Sequence, residues 1–316
     1  MPTLKKSAQT TLKQCLALKK NESLLIITDR NKKKIAKALF YEGAKICHNC
    51  LYVGIPEGKV NGEEPPKGVA DIMKKFDVII GVTTKSLTHT IAVKNAMKNA
   101  RIATMPDITE QIFRRTMSLD YKKISEISSR LGKAIRNKKE IRIKTKKGTD
   151  ISLKADKPIH YNNGFLLERG DMGNLPAGEV FFAPKYRSAE GIFIVDASMA
   201  GAGRLDRPIK ITVKKGYAVK IEGGKSAAQL KKILKRCGKS AYNIAELGIG
   251  TNHKAKITGC ILEDEKVLGT AHIALGNNKG FGGKVYAKCH LDGVFRKPTI
   301  YADGKIIIKE GRFMFS

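Results

Sequence analysis

The sequence predicts an α/β protein: an N-terminal doubly wound, mostly parallel sheet domain over residues 1–138, then a strand-rich α+β domain over 139–316. Two observations predict it. Over the first hundred residues, short apolar runs alternate with segments of helical spacing, the pattern of a parallel sheet covered on both faces. Beyond residue 140 the texture changes to short strands of alternating polarity. A third observation bounds the answer: 316 residues, 42% hydrophobic and 28% charged, are enough for two globular cores.

Each element has its own signal. Residues 3–20 read as an amphipathic helix. Leu24-Leu25-Ile26-Ile27-Thr28 is a buried strand, and Asp29 to Ala44 is a helix ending at Gly43. Leu51-Tyr52-Val53-Gly54 is a second strand, followed by a Pro/Gly-rich loop. A helix over Val69 to Lys75, a strand over Phe76 to Gly81, a helix over Thr90 to Asn99 and a strand over Arg101 to Met105 complete the alternation. Residues 108–139 read as helical. Glu140 to Ala155 forms a hairpin around Lys-Gly-Thr-Asp, and the strands that follow are interrupted by one helix, Ser226 to Arg236.

Several functions are disfavoured at once. Asp29-Arg30-Asn31-Lys32 follows the first strand where a dinucleotide fingerprint needs glycines. Gly201-Ala202-Gly203 is followed by strands and reads as a turn. No apolar run is long enough to cross a membrane, and the N-terminus has no secretory pattern, so the expected compartment is the cytoplasm. The six cysteines, at 15, 47, 50, 237, 260 and 289, include one CxxC and read as reduced structural thiols. The formal charge is +31, but 46 of the 60 cations are lysines spread along the chain and aromatics are sparse. This predicts non-specific attraction for polyanions rather than a dedicated nucleic-acid surface.

The chemistry-bearing residues lie in the second domain. In His290-Leu291-Asp292 an imidazole and a carboxylate share one strand face. His272 sits in the apolar run GTAHIA, Glu246 in NIAELGIG, and Glu179 after PAG and before VFFAP. A buried carboxylate must be paired, protonated or bound to metal. Three carboxylates and two imidazoles without thiolate suit one or two divalent ions such as zinc, cobalt, manganese or iron. A set of hydrogen-bonded core residues is the plainer alternative.

The strings NLPAGEVFFAP (174–184), AELGIGTN (245–252), EDEKVLGTAHIALGNN (263–278) and HLDGV (290–294) resemble the metallopeptidase family M29, as does SLTHTIAVKNAMKNARIATMPDITEQIF (86–113). The resemblance spans roughly residues 20–310. It implies an α/β N-terminal domain, a C-terminal metal-binding catalytic domain, a homodimer, two divalent metals (zinc, cobalt or manganese) and release of N-terminal residues from peptide substrates. The family's ligand positions fall on Glu179, Glu246, His272, His290 and Asp292. Glu179 or Glu246 would serve as the proton carrier if one of them is not a ligand. The family's catalytic tyrosine, seven residues after the first histidine, is replaced here by Lys279, which would supply a positive charge instead; Tyr286 is the nearest tyrosine. The leading expectation is therefore a metal-dependent aminopeptidase, a hydrolase. Two alternatives stand beside it. The M29-like superfamily also holds a mononuclear iron enzyme, 2,5-dihydroxypyridine 5,6-dioxygenase, for which His272, His290 and Asp292 would form a two-histidine, one-carboxylate triad. A non-catalytic relative would instead bind nucleic acid through the basic hairpin at 140–155 and the helix at 225–236.

Overall fold

A computed structural model describes residues 2–315. The chain folds into two units, the first up to Ser125 with Asn162–Ala177, the second Glu126–Tyr161 with Gly178 onward.

The first unit carries a five-stranded, all-parallel sheet. It comprises β1 (Ser23–Thr28), β2 (Asn49–Gly54), β3 (Val78–Val82), β4 (Arg101–Thr104) and a short β8 (Met172–Asn174), in the order β2-β1-β3-β4-β8. β1 and β3 are buried along their whole length, as the apolar runs demand. The helices are α1 (Leu4–Gln9), which continues as a π-helical turn to Cys15, α2 (Lys33–Gly43), α3 (Lys67–Met73), α4 (Ile91–Ala96) and α5 (Glu110–Thr116). The helix expected over 3–20 thus stops at Cys15, and the one expected over 108–139 is broken at residues 117–120. α4 starts cleanly because the Thr90 hydroxyl accepts from the Val93 N–H, while Glu64 accepts from the Ile91 and Ala92 N–H groups.

In the second unit two sheets share one core. The larger, of eight strands, is built from β5 (Ile141–Lys144), β6 (Asp150–Leu153), β10 (Glu190–Val195), β13 (Ile209–Lys214), β14 (Tyr217–Glu222), β18 (Thr299–Ala302), β19 (Lys305–Lys309) and β20 (Arg312–Phe313). The smaller has seven: β7 (Ala155–Asn162), β9 (Glu179–Pro184), β11 (Ser198–Met199), β12 (Gly203–Arg204), β15 (Ile244–Gly250), β16 (Ala271–Gly276) and β17 (His290–Phe295). Residues 200–202 join β11 to β12 as a turn, and Gly203 opens β12. Ile143, Ile151, Phe193 and Ile211 of the large sheet pack with Val180, Phe182, Leu247, Ile273 and Phe295 of the small one. α6 (Tyr121–Ile135) and α7 (Lys225–Cys237) add Leu131, Ile135, Leu230 and Leu234 to that core; α8 (Ile261–Asp264) is a single turn. The protein is therefore an α/β fold with a parallel sheet and additional antiparallel, strand-rich sheets. Among the described residues, no helix is long and apolar enough to cross a membrane.

Candidate metal centre

The centre grows out of the period-2 alternation of four strands. β9, β15, β16 and β17 run antiparallel side by side. One face of this ribbon presents Val180, Phe182, Leu247, Ile249, Ile273, Leu275, Leu291 and Phe295 to the core. The opposite face carries Glu179 and Phe181 on β9, Glu246 on β15, His272 on β16, and His290 and Asp292 on β17. Register sets them side by side. Phe181, Gly248 and His272 lie in one cross-strand row, Glu246, Ala274 and Asp292 in the next, and Gly276 opposes His290. A register irregularity between Ile244 and Glu246 puts Glu246 in its row.

Small residues between the functional ones leave the space. A Cβ on Gly248 would run into the His272 imidazole, and one on Gly250 into the Val267 carbonyl. The second approach brings the 265–267 backbone over the sheet and delivers a buried lysine that lies within the string 263–278 but was not among the expected site residues. Lys266 is 1% exposed, and its Nζ donates to Glu179 Oε1 at 2.6 Å and to Glu265 Oε1 at 2.5 Å. Burial opposes its charge, but the two glutamates raise its pKa above the ordinary lysine value.

The structure brings together all five residues expected as metal ligands. His272 Nε2 lies 3.3 Å from Glu246 Oε1 and 3.4 Å from Glu179 Oε2. His290 Nε2 lies 3.4 Å from Glu246 Oε2 and 3.3 Å from Asp292 Oδ1. Among the described residues, three sets place ligand atoms within 4.8 Å of one another: Glu179–Glu246–His272, Glu246–His290–Asp292 and Glu265–His272–Asp292. The two histidines fall in different sets, and these are joined through Glu246 and Asp292. Lys279 does not join them. It is exposed on a 3-10 turn, Lys279–Phe281, and Tyr286 is 68% exposed. The cation of the centre is Lys266.

The donor set fits a divalent cation. His290 Nδ1 donates to the Asn277 carbonyl at 2.7 Å, which leaves Nε2 as the lone-pair nitrogen facing Glu246 and Asp292. Charges tell the same story. Burial alone would lower the His272 pKa, yet its hydrogen bond to Glu246 and the charges of Glu179 and Asp292 raise it to about 9. His290 is raised for the same reasons by Asp292 and Glu246. Burial opposes ionisation of Glu246, but the two imidazoles hold its carboxyl below the usual range. The cluster is short of positive charge and, without metal, takes it up as protons.

A pH dependence follows. The His272 pKa is raised on folding, so its contribution to metal-free stability is complete below about pH 6.5, the unfolded value, and is lost as pH rises through about 9. Metal competes with those protons, so its affinity rises over the same window. Melting temperatures in chelator should fall between these pH values, while the stabilisation gained on adding divalent metal grows. A metal increment independent of pH would contradict this.

Next to the ligands stands an aromatic wall. The His160 ring, from β7, stacks on Phe181 at 5.0 Å and 19°, and Phe281 sets its edge against Phe181 at 5.6 Å and against His290 at 5.7 Å. His160 Nε2 is 3.0 Å from the Phe281 carbonyl and so donates to it. All four rings are partly exposed.

The family model of NicX, 2,5-dihydroxypyridine 5,6-dioxygenase, matches residues 3–315. The chain belongs to this family. Among solved structures, the 2,5-dihydroxypyridine dioxygenase of Pseudomonas putida KT2440 is similar at a TM-score of 0.85 and 19% identity, over 99% of this chain and 97% of that one. Wild-type AmpT from Thermus thermophilus is similar at a TM-score of 0.70 and 16% identity, over 99% of both chains. No curated protein sequence matches the chain. The NicX match corrects the leading expectation: the family is one of dioxygenases, oxidoreductases, so the aminopeptidase, hydrolase and proteolysis assignments fall. The likeness to AmpT is one of fold. The physical reason is visible in the sheet: the strings that resemble M29 build the four-strand scaffold, whereas position 279, where the peptidases carry their tyrosine, lies on an exposed turn outside the cluster.

Proposed function

We propose that this NicX-family chain is a metal-dependent dioxygenase that opens a dihydroxylated aromatic ring of the hydroxypyridine kind. The observation that carries the reading is the half-open aromatic wall of His160, Phe181 and Phe281 set edge-on against His290, a residue of the metal cluster. A flat ring placed along that wall meets π faces and edges on one side and the cluster on the other. His272, His290 and Asp292 would hold the metal, with Glu246 between the two imidazoles. Ferrous iron, when bound, supplies the one-electron chemistry that activates dioxygen.

The chain's own residues do the rest. The Asn277 carbonyl fixes the His290 tautomer. The fully buried His272 and the nearly buried Glu179 and Glu246 keep bulk water from the inner side. The aromatic wall orients the ring, which predicts a division of labour: Phe281→Ala should raise KM about tenfold with a smaller change in kcat.

The test is an oxygen electrode. Anaerobically iron-loaded protein should consume dioxygen when given 2,5-dihydroxypyridine, with loss of the aromatic absorbance at equal stoichiometry. No oxygen uptake with this substrate or with dihydroxybenzenes, on protein shown to contain iron, would refute the reading.

A further inference from the structure

A strand left bare at the edge of a sheet is a template for another strand. The three sheets have six edges: β2 and β8, β14 and β20, β12 and β7. Five of them are guarded. β8, β12 and β20 are only two or three residues long. β14 carries Lys220 and Glu222, and β7 carries Asp156, Lys157 and Pro158. Among the described residues, β2 alone is a six-residue edge strand with neither a charge nor a proline. The run without charge continues on both sides, from Ile46 to Pro56, in a chain of formal charge +31. The surface there is apolar: Leu51 is 40% exposed, and Tyr41 of α2 is 60% exposed. The Phe40 ring packs edge-on against both Tyr41 and Tyr52, which ties this patch of α2 to the strand.

We propose that β2 is a self-association edge: a second copy of this chain adds its own β2 antiparallel across a two-fold axis, joining two five-stranded sheets into one of ten strands. Charge selects the occupant. Copies that carry +31 each repel, and they meet closely only where neither presents lysine. The residues that bound the run are opposite in sign, Lys45 before it and Glu57 after it, and both are exposed. A two-fold axis reverses one strand against the other, so the Lys45 end of each copy approaches the Glu57 end of its partner. A nucleic acid or an acidic protein would find no cation between those ends. The contact lies within the first unit and does not depend on the metal chemistry of the second.

Analytical ultracentrifugation and amide hydrogen exchange on the full-length protein test this. The wild type should sediment as a dimer, and exchange over residues 49–54 should slow as protein concentration rises. Leu51→Lys sets an ammonium from each copy beside the axis and should return the protein to monomer. Its circular dichroism spectrum should not change, because position 51 is already exposed. Salt adds a sign: this dimer should tighten as salt screens the like charges, whereas a polyanion contact would loosen. A monomeric wild type, a dimer that Leu51→Lys leaves intact, or exchange over 49–54 that ignores concentration would each overturn the proposal. The concentration series on the wild type decides the matter even if Leu51→Lys does not fold.

Discussion

Glu246→Ala is expected to empty the centre of metal and to abolish oxygen consumption. Glu246 belongs to two of the three converging sets, and its two oxygens face the two histidines, Oε1 toward His272 and Oε2 toward His290. The cross-strand residue in its row on β16 is Ala274, which offers no ligand atom. Loss of an outer hydrogen-bond partner of a metal ligand typically costs about 10–100-fold in affinity, and loss of this shared carboxylate should exceed about 100-fold. The fold should survive, since Glu246 lies on the face turned away from the core. Metal retention after gel filtration, measured beside Glu57→Ala as a control carboxylate outside the converging sets, decides it. Metal bound at wild-type affinity by Glu246→Ala would remove this carboxylate from the centre.

Gly248→Ala carries the second large effect, and it adds a single methyl. The new Cβ would run into Nε2, Cε1 and Cδ2 of the His272 ring. That ring is fully buried, and β15 is held on one side by β9 and on the other by β16. Neither backbone nor ring has room to yield, so overpacking should cost about 1–3 kcal/mol of stability, and His272 should leave its place between Glu179 and Glu246. The double variant Gly248→Ala/His272→Ala separates the two consequences. It should recover most of the lost melting temperature and none of the metal affinity. Equal stability of wild type and Gly248→Ala would show that the ring is not confined as described.

The legible part of this molecule is the part governed by period. The spacing of His290 and Asp292 places both on one face, and Glu179 and Glu246 stand out because carboxylates are costly inside apolar strands. The parallel sheet was visible in β1 and β3, whose runs are apolar throughout. β8 was not, because three residues, Met-Gly-Asn, carry neither an apolar run nor an alternation. Lys266 was hidden for a different reason. Glu263-Asp264-Glu265-Lys266 reads as a solvated charge run, and its burial arises only where Gly250 admits the Val267 carbonyl. His160 sits in β7 between Ile159 and Tyr161, in a stretch without a clean alternation of polarity, so its stacking on Phe181 has no local cue. The reaction was misjudged because the recognisable strings specify the sheet, and the same sheet serves more than one chemistry.

The two-sided ribbon has a consequence for how such a protein changes. Along β9, β15 and β17, every residue of the cluster is separated from the next position on its own face by one that fills the core. Replacing Glu179, Glu246 or Asp292 alters charge and ligand number while leaving the volumes of Val180, Leu247 and Leu291 untouched. Catalytic identity and foldability are thus written on separate alphabets that share one strand, and a lineage can rewrite the first letter by letter without misspelling the second.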